Sequence, residues 1–262
     1  MALAIFRHAI AMVFRNFIEV IKLSLAPIVL GLALYGVIDF ILAIPLTESR
    51  IGAAYGGWAS DPDLMMPVVA ATVATLAILL FVFSWIAVLW HRFILLEEYP
   101  ALLPRVPAAS LWGYLWRTLL LGGLTMLLTI PAMWAALLLI RLAMIDTAMG
   151  MVIGWGICLV CFALVLAIGL RLALILPAAA VGRPVSLRQS WAETRPACRT
   201  ILVLSGLLIL IKVAGWILVG RTLGPTIVGA FAGLMIDWLM IFIGVSIVTT
   251  LYGHLIEGRP LP

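Results

Sequence analysis

The apolar positions of this chain run in long unbroken blocks; they do not alternate. Six blocks stand out, over 23–46, 67–90, 116–140, 150–170, 201–220 and 227–249. Each is close to the ~20 residues that carry a helix across ~30 Å of hydrocarbon. Hydrocarbon offers backbone N–H and C=O groups no partner, so blocks of this length are read as helices. A membrane barrel would need short alternating strands. The predicted fold is an all-α integral membrane protein with six transmembrane helices. It forms one polytopic domain over 1–262, with 1–22 as an amphipathic interfacial helix and 23–262 as a six-span bundle.

The basic residues between the blocks sort by side. Arg7, Arg15, Lys22, Arg92, Arg105, Arg117, Arg171, Arg183, Arg188, Arg195, Arg199 and Arg259 fall on one side. Arg50, Arg141 and Arg221 fall on the other, and Lys212 lies inside a span. The bias of 12 against 3 predicts both termini in the cytoplasm, and the preference for arginine over lysine with abundant alanine points to a bacterial inner membrane.

Composition agrees. The chain is 66% hydrophobic and 10% charged, with a mean hydropathy of +1.27. Soluble domains average about 25% charged residues. The net charge of +5 is read as orientation and contact with anionic headgroups, and no nucleic-acid partner is expected. Charges interrupt the first 24 residues too often for a cleavable signal peptide. There, His8, Arg15, Glu19 and Lys22 share a narrow arc at 100° per residue, while Phe14, Phe17, Ile18 and Ile21 lie elsewhere. Trp112, Tyr114 and Trp116 suit the membrane interface for a similar reason.

The stretch RLALILPAAAVGRPVSLRQSWAETR, 171–195, fixes the end of span four. Arg171 comes about 30 Å after Gly150, where a long side chain reaches the headgroups. The apolar run after it is too short for a seventh span and carries Pro177 and Gly182. Residues 171–182 are read as a protruding helix end, followed by a short surface helix capped by Ser186 with Gln189 or by Ser190 with Glu193. Arg7, Arg15, Lys22, Arg171, Arg183 and Arg195 are the candidate headgroup ligands.

A similar order of landmarks follows span two and, more loosely, precedes span one. The reading is a threefold repeat of an interfacial helix plus a two-span hairpin. The alternative is that multispan proteins commonly place basic, proline-containing loops on the cytoplasmic side.

Arg171, Pro177, Ala178, Gly182, Ser186, Ser190, Trp191, Thr194 and Arg195 carry a resemblance. The stretch resembles the membrane domain found beside glycerophosphoryl diester phosphodiesterases, and related six-span bacterial inner-membrane proteins. The resemblance is clear over about 30 residues, and elsewhere rests on span layout. It implies fold and an association with lipid or envelope biology. The phosphodiesterase chemistry of that family belongs to a separate soluble domain, so enzymatic activity is not implied.

Charges inside spans are the main candidate site, since each costs about 2.5–3.5 kcal/mol on insertion scales unless paired or hydrated. Lys212 and Asp237 reach comparable depth in an antiparallel hairpin, and Asp39 in span one could join them. They are read either as a polar pathway or as a structural ion pair, with Lys212 snorkelling outward as a further alternative. Cys158 and Cys161 lie within a span and are read as small packing residues, and Cys198 as a single cytoplasmic thiol. His8, His91 and His254 share no metal-ligand spacing, so no metal or cofactor is expected. Gly150 with Gly154, and Gly229 with Gly233, permit close helix contact within the chain or with another subunit. Pro131 is expected to kink span three. The outer loop with Tyr55, Trp58, Asp61 and Asp63 is read as a lid or a connector.

No P-loop, HExxH or nucleophile elbow is present. The leading expectation is a non-enzymatic accessory, scaffold or assembly subunit that binds membrane lipids, another membrane protein complex or further copies of itself. The alternative is a small secondary transporter or its membrane subunit. A lipid-directed membrane enzyme ranks third, since no converging acid, base or metal groups can be assembled.

Overall fold

The structure is a computed structural model and describes residues 1–41, 62–99, 106–142 and 148–261. Among these residues every regular element is a helix. They are α1 (Ala2–Arg15), α2 (Phe17–Ile41), α3 (Pro62–Leu96), α4 (Ala108–Leu142), α5 (Ala148–Leu172), α6 (Ile175–Ala180), α7 (Leu187–Glu193), α8 (Cys198–Thr222) and α9 (Ile227–Leu255). Six helices are long and apolar enough to cross a membrane, so the chain is a multi-pass membrane protein.

The six pair as three hairpins, α2 with α3, α4 with α5, and α8 with α9; α3 also packs on α4 and α9, and α5 on α8. At the end that holds both termini and most arginines, the basic end, helices outrun the hydrocarbon. Helix α3 has 35 residues, about 52 Å at 1.5 Å per residue, against ~30 Å of hydrocarbon. The core collects at that end. Buried side chains run through Val82–Leu95 of α3, Phe242–Tyr252 of α9 and Ile201–Leu208 of α8, and continue into α1 and α6. Toward the far end Phe40, Met126, Trp134, Trp155 and Val228 are exposed, as lipid-facing side chains are.

The first helix differs from its sequence reading. Residues 1–22 are not one element: Asn16 ends α1 by donating its side-chain amide to the Met12 carbonyl at 2.8 Å. An asparagine amide that bonds the local backbone competes with helix continuation in this way. Glu19 and Lys22 therefore belong to the first turns of the spanning helix α2, where they pair at 2.9 Å. Nor does α1 only rest on a surface. Ile5, Ala9 and Val13, four residues apart and fully buried, pack it against α9 and α8. Phe17 meets the Trp238 ring edge-on at 6.1 Å, well inside α9.

The break after span four is where Pro177 requires it. A proline there lacks the N–H that would bond the Ala173 carbonyl and collides with it. The chain tightens instead, with Leu176 N–H reaching the Ala173 carbonyl at 3.0 Å. Helix α6 then closes on Gly182, whose φ of +74° is left-handed. Arg183 N–H bonds the Ala178 carbonyl and Gly182 N–H the Ala179 carbonyl, the two bonds of a Schellman cap. Helix α6 is buried in the protein, and α7 starts on Ser186, whose side chain accepts from Gln189 N–H. Between α3 and α4 only 97–99 and 106–107 are described, and the rest of that connection, where the repeat would place its middle interfacial piece, lies outside the described residues. Pro131 lies inside the continuous helix α4. Tyr55, Trp58 and Asp61 of the outer loop, with Arg50 and Arg105, lie outside the described residues.

Helices α2 and α3 are in close contact at Gly31, where a Cβ would come within 2.6 Å of a Val82 methyl. Val82 is β-branched and cannot swing aside cheaply. Replacing Gly31 with alanine is expected to cost about 1–3 kcal/mol by overpacking. A lowered thermal midpoint in detergent, with Gly36→Ala as the control that meets open space, checks this.

Candidate functional site

Two polar groupings stand out, one at mid-span and one at the basic end. At mid-span Lys212 Nζ lies 3.2 Å from Asp237 Oδ1, across the α8–α9 hairpin. The Trp216 indole N–H, one turn along α8, donates to the same oxygen at 3.4 Å. Lys212 is ten residues before the end of α8 at Thr222, and Asp237 ten after the start of α9 at Ile227. Both are thus about 15 Å from the far end, near the middle of the hydrocarbon. The pair faces outward. The Lys212 side chain is 54% exposed, that of Asp237 33%, and Trp216 is 52% exposed. Asp39 is buried on α2, which packs against α3, so it stands in a different hairpin.

At the basic end, the consecutive residues Trp90, His91 and Arg92 tie four helices together. Trp90 is fully buried and donates its indole N–H to Ser246 of α9 at 3.0 Å, with its ring edge-on to Phe242. His91 Nδ1 lies 2.8 Å from the Thr249 hydroxyl, whose own hydrogen goes to the Val245 carbonyl at 2.7 Å. A hydroxyl has one hydrogen to give, so Thr249 accepts from His91, and the proton sits on Nδ1. Nε2 is left to accept from the Tyr114 hydroxyl of α4 at 3.5 Å. Arg92 donates to the Ala180 carbonyl of α6 at 2.9 Å and grips Glu98 with two bonds of 2.7 and 2.6 Å. Glu97 makes that grip feasible. Its left-handed backbone, φ 57°, turns Glu98 back beneath Arg92.

Sequence reading missed this group and treated Tyr114 as an interfacial aromatic. Trp112 and Trp116 are indeed exposed, whereas Tyr114 is buried against His91. The contacts span 156, 158 and 23 residues of sequence, and no local pattern announces them.

A second tie accounts for the 171–195 motif. The Arg171 guanidinium lies 3.5 Å over the Trp191 ring, donates to the Trp191 carbonyl at 3.0 Å and contacts the Thr194 hydroxyl at 3.3 Å. Ser190 returns a hydrogen bond of 2.7 Å to the Arg171 carbonyl. Arg171 is therefore held by the protein. Of the residues that carry the resemblance, Arg171, Ser190, Trp191 and Thr194 form this clasp. Pro177, Ala178, Gly182 and Ser186 break, close or start the helices around it. Arg195 alone is exposed without such a part.

The other candidate headgroup ligands are spread over the basic end. Arg7 and Arg15 are exposed on α1. Arg183 lies 3.8 Å from Glu257, which also pairs with Arg259 at 2.7 Å. Arg259 in turn donates to the Leu95 carbonyl at 2.9 Å, fastening the C-terminal segment to α3. A cavity of about 100 Å³ between α1 and α9 is lined by His8, Met12, Thr250, His254 and Arg259 among others. Among the described residues no three His, Cys, Asp or Glu side chains gather closely enough to hold a metal ion. Cys158, Cys161 and Cys198 are free thiols. Gly154 faces Ile140 and Gly233 faces Trp216, both inside their own hairpins.

Comparison with family models, curated proteins and solved structures found no match.

Replacing Thr249 with valine leaves the His91 N–H buried without an acceptor. That is expected to cost about 1–3 kcal/mol, and Thr249→Ser should recover most of it, both read as thermal midpoints in detergent.

His8 supplies a pH test. Burial first, and the Arg15 charge second, hold its imidazole below the ordinary value of 6.5. Its contribution to stability is therefore complete above that value and is lost as the pH falls through the lowered one. Between pH 8 and pH 5 the wild type is expected to lose more stability than His8→Gln, and an equal loss in both would contradict the assignment.

Proposed function

We propose that this chain is a non-enzymatic accessory or scaffold subunit of a bacterial inner membrane, with both termini in the cytoplasm. It presents its basic end to anionic headgroups and its lipid-facing surface to another membrane protein. The observation that carries this reading is the direction of the mid-span ion pair. A transport site lines a path enclosed by helices, whereas Lys212 and Asp237 open onto the outside of the bundle. The polar side chains at the basic end support the same reading, because Trp90, His91, Arg92 and Arg171 are engaged in holding helices to one another. Exposed Arg7, Arg15 and Arg195 remain available to lipid phosphates. The resemblance of 171–195 to membrane domains found beside glycerophosphoryl diester phosphodiesterases supports a place in lipid or envelope biology.

The test has two arms. Extraction from native membranes into nanodiscs, followed by mass spectrometry, is expected to recover a membrane protein or anionic lipid in fixed proportion to the chain. The purified chain in vesicles is expected to move no solute from a panel of ions, amino acids and phosphate esters. Solute flux that Lys212→Met and Asp237→Leu each abolish would replace this reading with a transporter.

A further inference from the structure

We propose that the outward face carrying Lys212, Trp216 and Asp237 is where a second copy of this chain binds within the membrane. The two copies form a two-fold dimer in which each Lys212 also pairs with the other copy's Asp237. The proposal names a partner for the scaffold surface and rests on that reading.

The pair is incomplete within one chain. Lys212 and Trp216 both address Oδ1 of Asp237, and among the described residues nothing donates to Oδ2. An ammonium has three N–H donors and a carboxylate about four acceptor positions, so much of the pair's capacity is unused. It is also directed outward at mid-span, where lipid tails offer neither donor nor acceptor. Snorkelling does not relieve this, because the ammonium is turned to Asp237 and both groups are about 15 Å from the far end.

Charge selects the occupant. The face has one cation beside one anion, so it is neutral as a whole and polar in detail. A purely acidic or purely basic partner would match one half and repel the other. A two-fold rotation places the same two charges opposite in reversed order, so the face complements itself. On the same helix faces Trp216, one turn from Lys212, and Leu234, one turn before Asp237, are exposed and largely apolar, giving the rim of such a contact a surface compatible with both lipid and protein. Joined across the axis, two lysines and two aspartates form a closed ring, and the unused donors and acceptors meet.

The experiment uses the full chain, labelled and reconstituted in vesicles of phosphatidylcholine and phosphatidylglycerol, with copy number counted by stepwise photobleaching as lipid is added. The wild type is expected to dimerise. The neutral variant Lys212→Met/Asp237→Leu is expected to dissociate at about tenfold higher protein density. Lys212→Asp and Asp237→Lys are each expected to be monomeric alone and to pair when reconstituted together, a rescue that a purely intrachain ion pair would not produce. A wild type that stays monomeric at every density overturns the proposal. So does a neutral variant that dimerises like the wild type, or well-folded reversed variants that fail to rescue each other. A monomeric result leaves the scaffold reading standing, since that is decided by co-purification and solute flux.

Discussion

Inside a bilayer a polar side chain has no water to fall back on, and much of this bundle is organised by where such groups meet partners. Helices in lipid gain little from hiding apolar surface, because the tails are as apolar as leucine. What holds them is packing and shared hydrogen bonds. At the basic end Trp90 bonds Ser246 and His91 bonds Thr249, both on α9, while Arg92 bonds the Ala180 carbonyl of α6. Elsewhere several hydroxyls bond within their own helix, as Thr125 does to the Leu121 carbonyl and Thr129 to the Thr125 carbonyl. The result is a core gathered at one end, with helices that present apolar side chains to lipid over the rest of their length.

The spans were legible because block length is a one-dimensional property, and hydrocarbon thickness sets it. Among the described residues all six predicted blocks fall on long helices, though α3, α4 and α9 run several residues further at the basic end. Those extensions pack on protein, so hydropathy does not mark where they stop. The pairing of Lys212 with Asp237 was also within reach, since a hairpin makes depth a matter of counting from the turn. The boundary at Asn16 was not, because a hydrophobic stripe continues through it while a single amide bond ends the helix. The grouping of His91, Tyr114 and Thr249 lay further out of reach. It depends on which helices are neighbours, and nothing in a single sequence states that.

The motif at 171–195 shows how a pattern can be specific and still say little about chemistry. Its arginine, serine, tryptophan and threonine close one clasp, and its proline and glycine set the bends that bring them together. Their part in the structure is to hold helices in place. The outward ion pair is the opposite case: two unremarkable residues in unrelated surroundings, whose meaning comes from where the bundle turns them.

Helix α1 has a consequence for how the protein is made. It is synthesised ahead of all six spans, yet the surfaces that bury Ile5, Ala9 and Val13 belong to α8 and α9, which leave the ribosome after the other four. Throughout insertion of the first two hairpins, the amino-terminal segment waits without its dock. Arrival of the α8–α9 hairpin thus also closes the bundle, because that hairpin docks α1 and commits the earlier spans to one arrangement.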